Sequence, residues 1–520
     1  MKLKKTITSA LAVLTIASAA IPAVSLIDHS TTLTANAATY IDVDAQPARI
    51  GCPDGTKRTC SYNGATFKFI LSNKKVYIYG IATQNDYVVI PATIGGYPVV
   101  YIDAASMSGN KTVKKVSFNN TSKIRINADA FNTYGSTTKN GYKESIYIPN
   151  KQIKALVFNG PFEIVDVNDP NTAGENFEST SLVLPNVEKI TFGKNITTIP
   201  DLSFNNMQNL KSVYASNVTK IEDMAFTDCI NLQTLNTPKL KTIGYEAFYH
   251  CLNLPVSKMN ELLKISGNIN IFAYMNESNA TDSNIIEKFS SGTIIRQKYK
   301  DNSIFIAAQT DTETMILAAS QYDSSTKTLK KSDTAVSNYT IPKNINNKKV
   351  VYISHRALID EFINTKKLKI NTNKANIQDC DMTLDTLDLR GMTFDNNHTS
   401  FCGLYTKNVY LPDTAKTLPT YIFYNSNIEN SLNLKNIETI QKYAFKGAHV
   451  YNSLVGHNVK TVNSYGFSGS TIFMIDIPNV TKIDTHAFDE SCSTLIINDK
   501  VSCPPKLFDT HDGIEYRKHI

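Results

Sequence analysis

The apolar residues of this chain recur on a 22-residue period. Asn209-Leu210, Asn231-Leu232 and Asn253-Leu254 are 22 apart, and two closely similar segments lie between them. One reads Val218-Thr219-Lys220-Ile221, Met224-Ala225-Phe226, Cys229; the other reads Leu240-Lys241-Thr242-Ile243, Glu246-Ala247-Phe248, Cys251. Phe204 carries the register back by one unit. A second series, Phe401, Phe423, Phe445 and Phe467, has the same spacing, and Phe488 follows after 21. The last four each stand five residues after an aliphatic: Leu418, Ile440, Val462 and Ile483. A fixed period of this length marks a repeat array. Each unit predicts a short strand with alternating buried aliphatics, such as Leu210, Val213 and Ala215 or Leu432 and Leu434, then a turn, then a convex segment that inserts one Phe. A single coil cannot bury its own apolar face. Stacked coils share one core and add strands to a parallel sheet at about 4.8 Å spacing. The fold class predicted is an α/β-type repeat solenoid. Phe204, Phe226, Phe248, Phe401, Phe423, Phe445, Phe467 and Phe488 form its core spine rather than a ligand site.

A longer repeat contains the shorter one. Ile90-Pro91 and Ile341-Pro342 are 251 apart, as are Val99-Val100-Tyr101-Ile102 and Val350-Val351-Tyr352-Ile353, which predicts two tandem arrays. Upstream of the first, Thr66 to Leu71 and Lys75 to Ile81 read as strands around Ser72-Asn73-Lys74; upstream of the second stand Ser303 to Ala308 and Thr314 to Ala319. Each array thus opens with a β-hairpin that can cap its first coil. The expected boundaries are 38–64 for an N-terminal segment, 65–254 for the first array, 255–302 for a cap and connector, and 303–520 for the second array. Within the connector, Ser257 to Lys264 and Ser283 to Phe289 have helical spacing with Ser caps. Residues 132–180 fit the period poorly and predict an insertion, with Asn168 to Gly174 as its loop.

The N-terminus changes the compartment. Lys2, Lys4 and Lys5 precede an apolar stretch, Ala10 to Val24, and Ala35-Asn36-Ala37 offers a small-residue cleavage site, so residues 1–37 read as a signal peptide. Their removal takes three Lys and Asp28, lowering the formal charge from +7 to +5. That mild excess is spread along the chain, which favours a solvated surface over a polyanion site and gives nucleic acid no stripe to bind. No later run is long and apolar enough for membrane insertion, and no sorting signal with a hydrophobic tail ends the chain. The expected location is secreted or extracellular, with any association with the cell wall non-covalent.

The pattern Ile-Pro-x-x-Ile-Gly-Gly-Tyr-Pro-Val-Val-Tyr-Ile at 90–102, followed by repeated aliphatic-Thr-Lys/x-Ile-x-x-x-Ala-Phe-x-x-Cys, resembles the BspA-like leucine-rich repeat family over about residues 65–510. The resemblance implies a parallel-sheet leucine-rich repeat array in an extracellular bacterial protein, often one that adheres to host proteins, other cells or polysaccharide. The chain departs from the pattern at Ala105-Ser106-Met107, Arg356-Ala357-Leu358 and Tyr465-Gly466-Phe467, and it lacks the wall-anchoring modules of many relatives.

All eight cysteines follow the signal. Cys52 and Cys60 bracket a Pro-Asp-Gly turn and predict a disulfide, worth roughly 2.5 kcal/mol from loop closure. Cys492 and Cys503 flank the last strand, where a similar bond and two free thiols are equal readings. Cys229 with Cys251, and Cys380 with Cys402, stack in adjacent coils with parallel side-chain vectors, which favours packed free thiols. Relative to the Phe of their coils, His250 is at +2, His449 at +4, His457 at −10 and His486 at −2. That scatter predicts isolated histidines and no metal set, and no cofactor is expected.

Strand residues pointing away from the core line one face: Thr191, Lys211, Tyr214, Gln233 and Asn236 in the first array, and Tyr410, Asn433, Val455 and Asp476 in the second. With Asp476 its single carboxylate, that face lacks a general acid–base pair. Twenty-six Tyr and no Trp bias the surface toward rigid amphipathic contact. The expectation is a non-enzymatic protein that binds an extracellular protein or glycan through the sheet face and inserted loops. A structural spacer of a cell-surface layer is the alternative, and a secreted hydrolase comes third.

Overall fold

The computed structural model describes residues 55–518, apart from 140–141, 168–176, 276–279, 324–327, 331–337, 355, 359–362, 364, 373–375, 378–381, 395–398, 490–491 and 498–513. The predicted signal peptide, Cys52, Cys380, Cys503 and the Asn168 to Gly174 loop lie outside the described residues, as does the side chain of Cys492. The chain divides into two compact units, Met1–Leu254 and Pro255–Ile520.

Unit one opens with three antiparallel strands, Thr56–Tyr62, Ala65–Ser72 and Lys75–Thr83. The turn at Asn63-Gly64 has both residues at positive φ, 48° and 75°, which matches the twist of the strands it joins. The third strand then pairs in parallel with Tyr97–Ile102, placing Val76 against Val99 and Ile78 against Ile102. The pattern of alternating apolar residues revealed the second and third strands but not the first. Thr56–Tyr62 is almost wholly polar because it lies at the sheet edge. Cys60 sits mid-strand opposite Phe67 with a free thiol; Cys52, its predicted disulfide partner, lies outside the described residues.

Six parallel strands follow in sequence order: Tyr87–Ile90, Lys115–Phe118, Ala155–Phe158, Lys189–Phe192, Ser212–Tyr214 and Thr234–Asn236. Their register aligns Val88, Val116, Leu156, Ile190, Val213 and Leu235 as one buried row. The steps along that row are 28, 40, 34, 23 and 22 residues, so the regular period is reached in the last two coils. The 40-residue step contains an inserted hairpin, Thr133–Lys139 with Tyr142–Ile148.

Two further ladders close each regular coil. The dipeptides Thr198–Ile199, Lys220–Ile221 and Thr242–Ile243 pair in parallel. The convex segment is also bonded coil to coil: the amides of Leu202, Phe204 and Asn206 donate to the carbonyls of Asp223, Ala225 and Thr227, and Met224, Phe226 and Asp228 repeat this toward Tyr245, Ala247 and Tyr249. The residues two before and two after each Phe are left-handed, including Leu202, Met224, Glu246, Asn206, Asp228 and His250, with φ from 52° to 62°. That alternation turns every second amide toward the next coil and drives the Phe between them inward. Phe204, Phe226 and Phe248 stack at centroid distances of 5.6 and 5.8 Å. A second aromatic row, Phe118, Phe158 and Phe192, comes from the strands themselves, with spacings of 4.7 and 5.6 Å.

Unit two begins with two helices, Val256–Ser266 and Ala280–Ser290. Pro255, not Ser257, occupies the N-cap of the first, without a side-chain cap bond; Gly267 ends it in the left-handed conformation, its amide reaching the Leu263 carbonyl. Three antiparallel strands follow, Thr293–Lys298, Ser303–Gln309 and Glu313–Asp323, and the third meets Lys348–Ile353 in parallel, with Thr314 against Val350 and Ile316 against Ile353. The main sheet has ten strands, from Tyr339–Ile341 through Lys367–Ile370, Thr383–Asp388, Tyr405–Tyr410, Asn427–Ile428 with Leu432–Asn433, His449–Val455, Thr471–Asp476 and Cys492–Ile497 to Ile514–Lys518. Phe401, Phe423, Phe445, Phe467 and Phe488 stack behind it, with successive centroids 6.4, 5.6, 5.2 and 5.1 Å apart.

Candidate functional site

The parallel register decides which outward side chains meet. In unit one, Thr191, Tyr214 and Asn236 are direct partners on neighbouring strands. Lys189 places its ammonium 4.9 Å from the centre of the Tyr214 ring. Lys211 and Gln233 lie one position before their strands, in a row with Glu188. Lys211 is committed to an ion pair: Glu188 binds it at 3.0 Å and Lys154 at 3.2 Å. Hydrogen bonds from these two lysines hold the Glu188 carboxyl below its ordinary range.

In unit two the outward face is more aromatic. Tyr410 is 47 % exposed, Tyr451 62 % and Phe473 72 %. The sheet register forms a bulge at Tyr451 and again beside Phe473, lifting both rings from the face. Polar side chains bridge the strands between them: Asn430 donates to Asn408 at 3.0 Å, and Ser431 and Ser453 are 2.9 Å apart.

Tyr410 and Asn433 also meet in the lining of a cleft of about 170 Å³, together with Arg390, Pro412, Asp413 and Lys435. The cleft owes its order to Asp388. This buried carboxylate closes the strand Thr383–Asp388 and accepts two hydrogen bonds from Arg390, from Nε at 2.9 Å and Nη2 at 2.8 Å. The hydrogen bonding of Arg390 holds the Asp388 carboxyl below its ordinary range, and the carboxylate in turn raises the guanidinium. Thus fixed, the guanidinium lies 4.9 Å from the centre of the Tyr410 ring. Asn436 donates to the Asp413 carbonyl at 2.8 Å and ties the far wall to the neighbouring coil.

Asp476 stands apart from this cleft. Its Oδ2 contacts His457 Nε2 at 3.2 Å, and its Oδ1 is buried with no hydrogen-bond partner among the described residues. Three of the four histidines predicted to be isolated are paired: besides His457, His250 meets Asp228 at 2.8 Å across coils, and His486 meets Asp489 at 2.8 Å three residues on in its own coil. Stacked coils bring a His and an Asp together although their separation in sequence, 22 or 19 residues, hides the pairing. Among the described residues no group of three or more His, Cys, Asp or Glu converges as a metal site would require. The thiols of Cys229 and Cys251 donate to the carbonyls of Phe204 and Phe226 at 3.2 and 3.1 Å, and burial raises both well above the usual thiol range. No helix among the described residues is long and apolar enough to cross a membrane.

The family model for the BspA type leucine rich repeat region matches with six copies, over residues 126–255, 182–294 and 388–496, which together cover more than half of the chain. The chain belongs to the BspA-type leucine-rich repeat family. No curated protein matches it. Solved structures with which it shares similarity include a leucine-rich cell surface protein from Faecalibacterium prausnitzii, at 14 % identity and a TM-score of 0.26, covering 89 % of this chain and 99 % of that one. Others are the pneumococcal vaccine antigen PcpA, at 13 % identity, a TM-score of 0.27 and coverage of 90 % and 95 %, and a leucine-rich repeat protein from Eubacterium ventriosum, at 14 % identity, 0.26, and 88 % and 99 %.

Within this BspA-type array, three parts of the surface escaped the sequence reading. Arg390 and Asp388 precede the first strongly periodic Phe of their array, where the pattern is weakest. Tyr451 and Phe473 sit at bulges, which interrupt the alternation that sorts inward from outward positions. A stack of Tyr421, Tyr443, Tyr465 and His486, with centroids 4.8, 5.2 and 5.1 Å apart, occupies the position two before each Phe, the three tyrosines in the left-handed conformation. Its signal was present in the 22-residue spacing of the tyrosines.

Proposed function

We propose that this chain is an exported, surface-displayed binding protein without catalytic activity, which holds an extracellular protein or polysaccharide through the sheet face of its second unit and the insertion at 132–180. The observation that carries this reading is the exposure of Tyr410, Tyr451 and Phe473 on strands of this sheet, beside polar residues such as Asn408, Asn430 and Ser453. Large apolar rings left in water cost about 25 cal/mol for each Å² they could bury. Aromatic residues grouped among polar ones characterise contact surfaces. Family membership supports the reading only through the scaffold, since function resides in the residues a fold displays. A Tyr410→Ala/Tyr451→Ala/Phe473→Ala variant should keep its circular dichroism and melting temperature. It should lose most of the signal the mature chain gives on an array of matrix proteins and glycans. Retention of the full signal would remove this face from the function.

A further inference from the structure

The cleft beside Tyr410 has the chemistry of a small ligand site, and its contents narrow what it can take. Its volume, about 170 Å³, is below the roughly 300–1,000 Å³ of sites that engulf a drug-sized molecule. One ring fits, and a chain of rings does not. The walls alternate apolar and polar groups: Tyr410, Leu411 and Pro412 against Arg390, Asp413, Asn433 and Lys435. The charges balance, with Arg390 and Lys435 opposed by Asp388 and Asp413. A net anion or cation therefore gains no field from the site, whereas a neutral molecule with many hydroxyls finds donors and acceptors on the same rim.

The site is also held in place before any ligand arrives. Arg390 is an exposed side chain, and freezing its rotamers on binding would weaken affinity. Here buried Asp388 has already fixed it through two hydrogen bonds and set it over the Tyr410 ring. Nearly half of Tyr410 remains accessible in that arrangement. A rigid aromatic beside a fixed hydrogen-bonding fork suits a ligand with an apolar C–H face and a hydroxylated edge.

We infer that the cleft formed by Arg390, Tyr410, Pro412, Asp413, Asn433 and Lys435 is a subsite for a single neutral sugar ring. This rests on the reading of the second unit's sheet face as a binding surface, and it assigns that surface a glycan. Tyr410 packs against the C–H face of the ring. Arg390, Asn433 and Lys435 donate to its hydroxyl oxygens, and Asp413 accepts from a hydroxyl.

The test uses the mature chain with the methyl glycosides of glucose, galactose, mannose and N-acetylglucosamine, followed by saturation-transfer NMR and titration calorimetry. At least one glycoside should bind with millimolar affinity. Tyr410→Ala and Arg390→Ala should each weaken it tenfold or more, while Tyr443→Ala, in the separate tyrosine stack, should leave it unchanged. Arg390→Ala leaves the buried Asp388 carboxylate without its partner, so it is made together with Asp388→Asn; melting temperatures check folding, and Tyr410→Ala, at a ring nearly half exposed, tests the cleft independently. Absence of binding by all four glycosides overturns the inference, as does binding that survives both cleft substitutions. If no glycoside binds but a matrix protein is captured and lost in the triple aromatic variant, the sugar subsite falls and the binding surface stands. If neither class binds, both fall.

Discussion

Asn209, Asn231 and Asn253 each send Nδ2 to a backbone carbonyl of the preceding coil, at Pro185, Gln208 and Ile230, over 2.9, 2.8 and 2.8 Å. Asn436, Asn458 and Asn479 do the same in unit two. A turn carbonyl between coils has no strand partner, and the amide supplies one at fixed spacing. Replacing Asn231 by Ala leaves the Gln208 carbonyl without that donor and should cost about 1–2 kcal/mol, read as a lower urea midpoint at unchanged slope. Asn231→Asp, which keeps the shape but lacks the donor, should cost at least as much. The position three after each Phe follows similar logic: Ser426 donates to the Phe401 carbonyl at 2.8 Å where Cys229 and Cys251 use thiols. The Asn-Leu and Phe-x-x-Cys spacings were legible in the sequence, but the acceptors were not, because they belong to a different coil.

At the scale of the element, two lysine–glutamate–lysine triads run across coils. Glu438 lies between Lys416 at 3.0 Å and Lys460 at 2.9 Å, as Glu188 lies between Lys154 and Lys211. Hydrogen bonds to Lys460 and Lys416 pull the Glu438 carboxyl down from 4.5 to about 2. A depressed carboxyl contributes stability that is fully present above its unfolded value and lost as pH falls through the folded one. The melting temperature of the native chain should therefore exceed that of Glu438→Gln above pH 4.5, with the gap closing as pH falls toward about 2. Added salt should narrow the gap, because the carboxylate and both of its lysines are open to solvent. A gap that is constant with pH would mean that the glutamate acts through packing instead. The short Thr-Ile strands beside this triad are too brief to be recognised by alternation; their 22-residue recurrence gave their position, and only the pairing Thr417–Thr439–Thr461 shows them as a sheet.

At the scale of the whole molecule, each unit's stability resides in contacts between neighbouring coils. Phe445 is fully buried and stacks on both Phe423, at 5.6 Å, and Phe467, at 5.2 Å. Phe445→Ala should cost about 3–5 kcal/mol. In a nearest-neighbour array the damage spreads to the coils on either side. Hydrogen exchange should thus quicken at the amides of Phe423 and Phe467 as well as at Phe445; quickening confined to the altered coil would contradict a shared core.

The 22-residue period by itself determined the coil, the parallel stacking and the aromatic interior, because burying one face of each repeat leaves no other arrangement. Residue type and spacing also placed Tyr214, Tyr410 and Asn433 on the outward side. Tertiary structure decided everything that depends on which coil lies next to which, and on where the strand alternation breaks. It set Arg390 on Tyr410 through Asp388, paired His457 with Asp476, drew Lys211 into an ion pair and placed Cys60, with a free thiol, on an extended edge strand. The physical reason is that a periodic pattern specifies which positions are equivalent. The partners of a side chain in the neighbouring coil follow from register, bulges and coil lengths, which vary here from 19 to 40 residues, and only the folded chain fixes them.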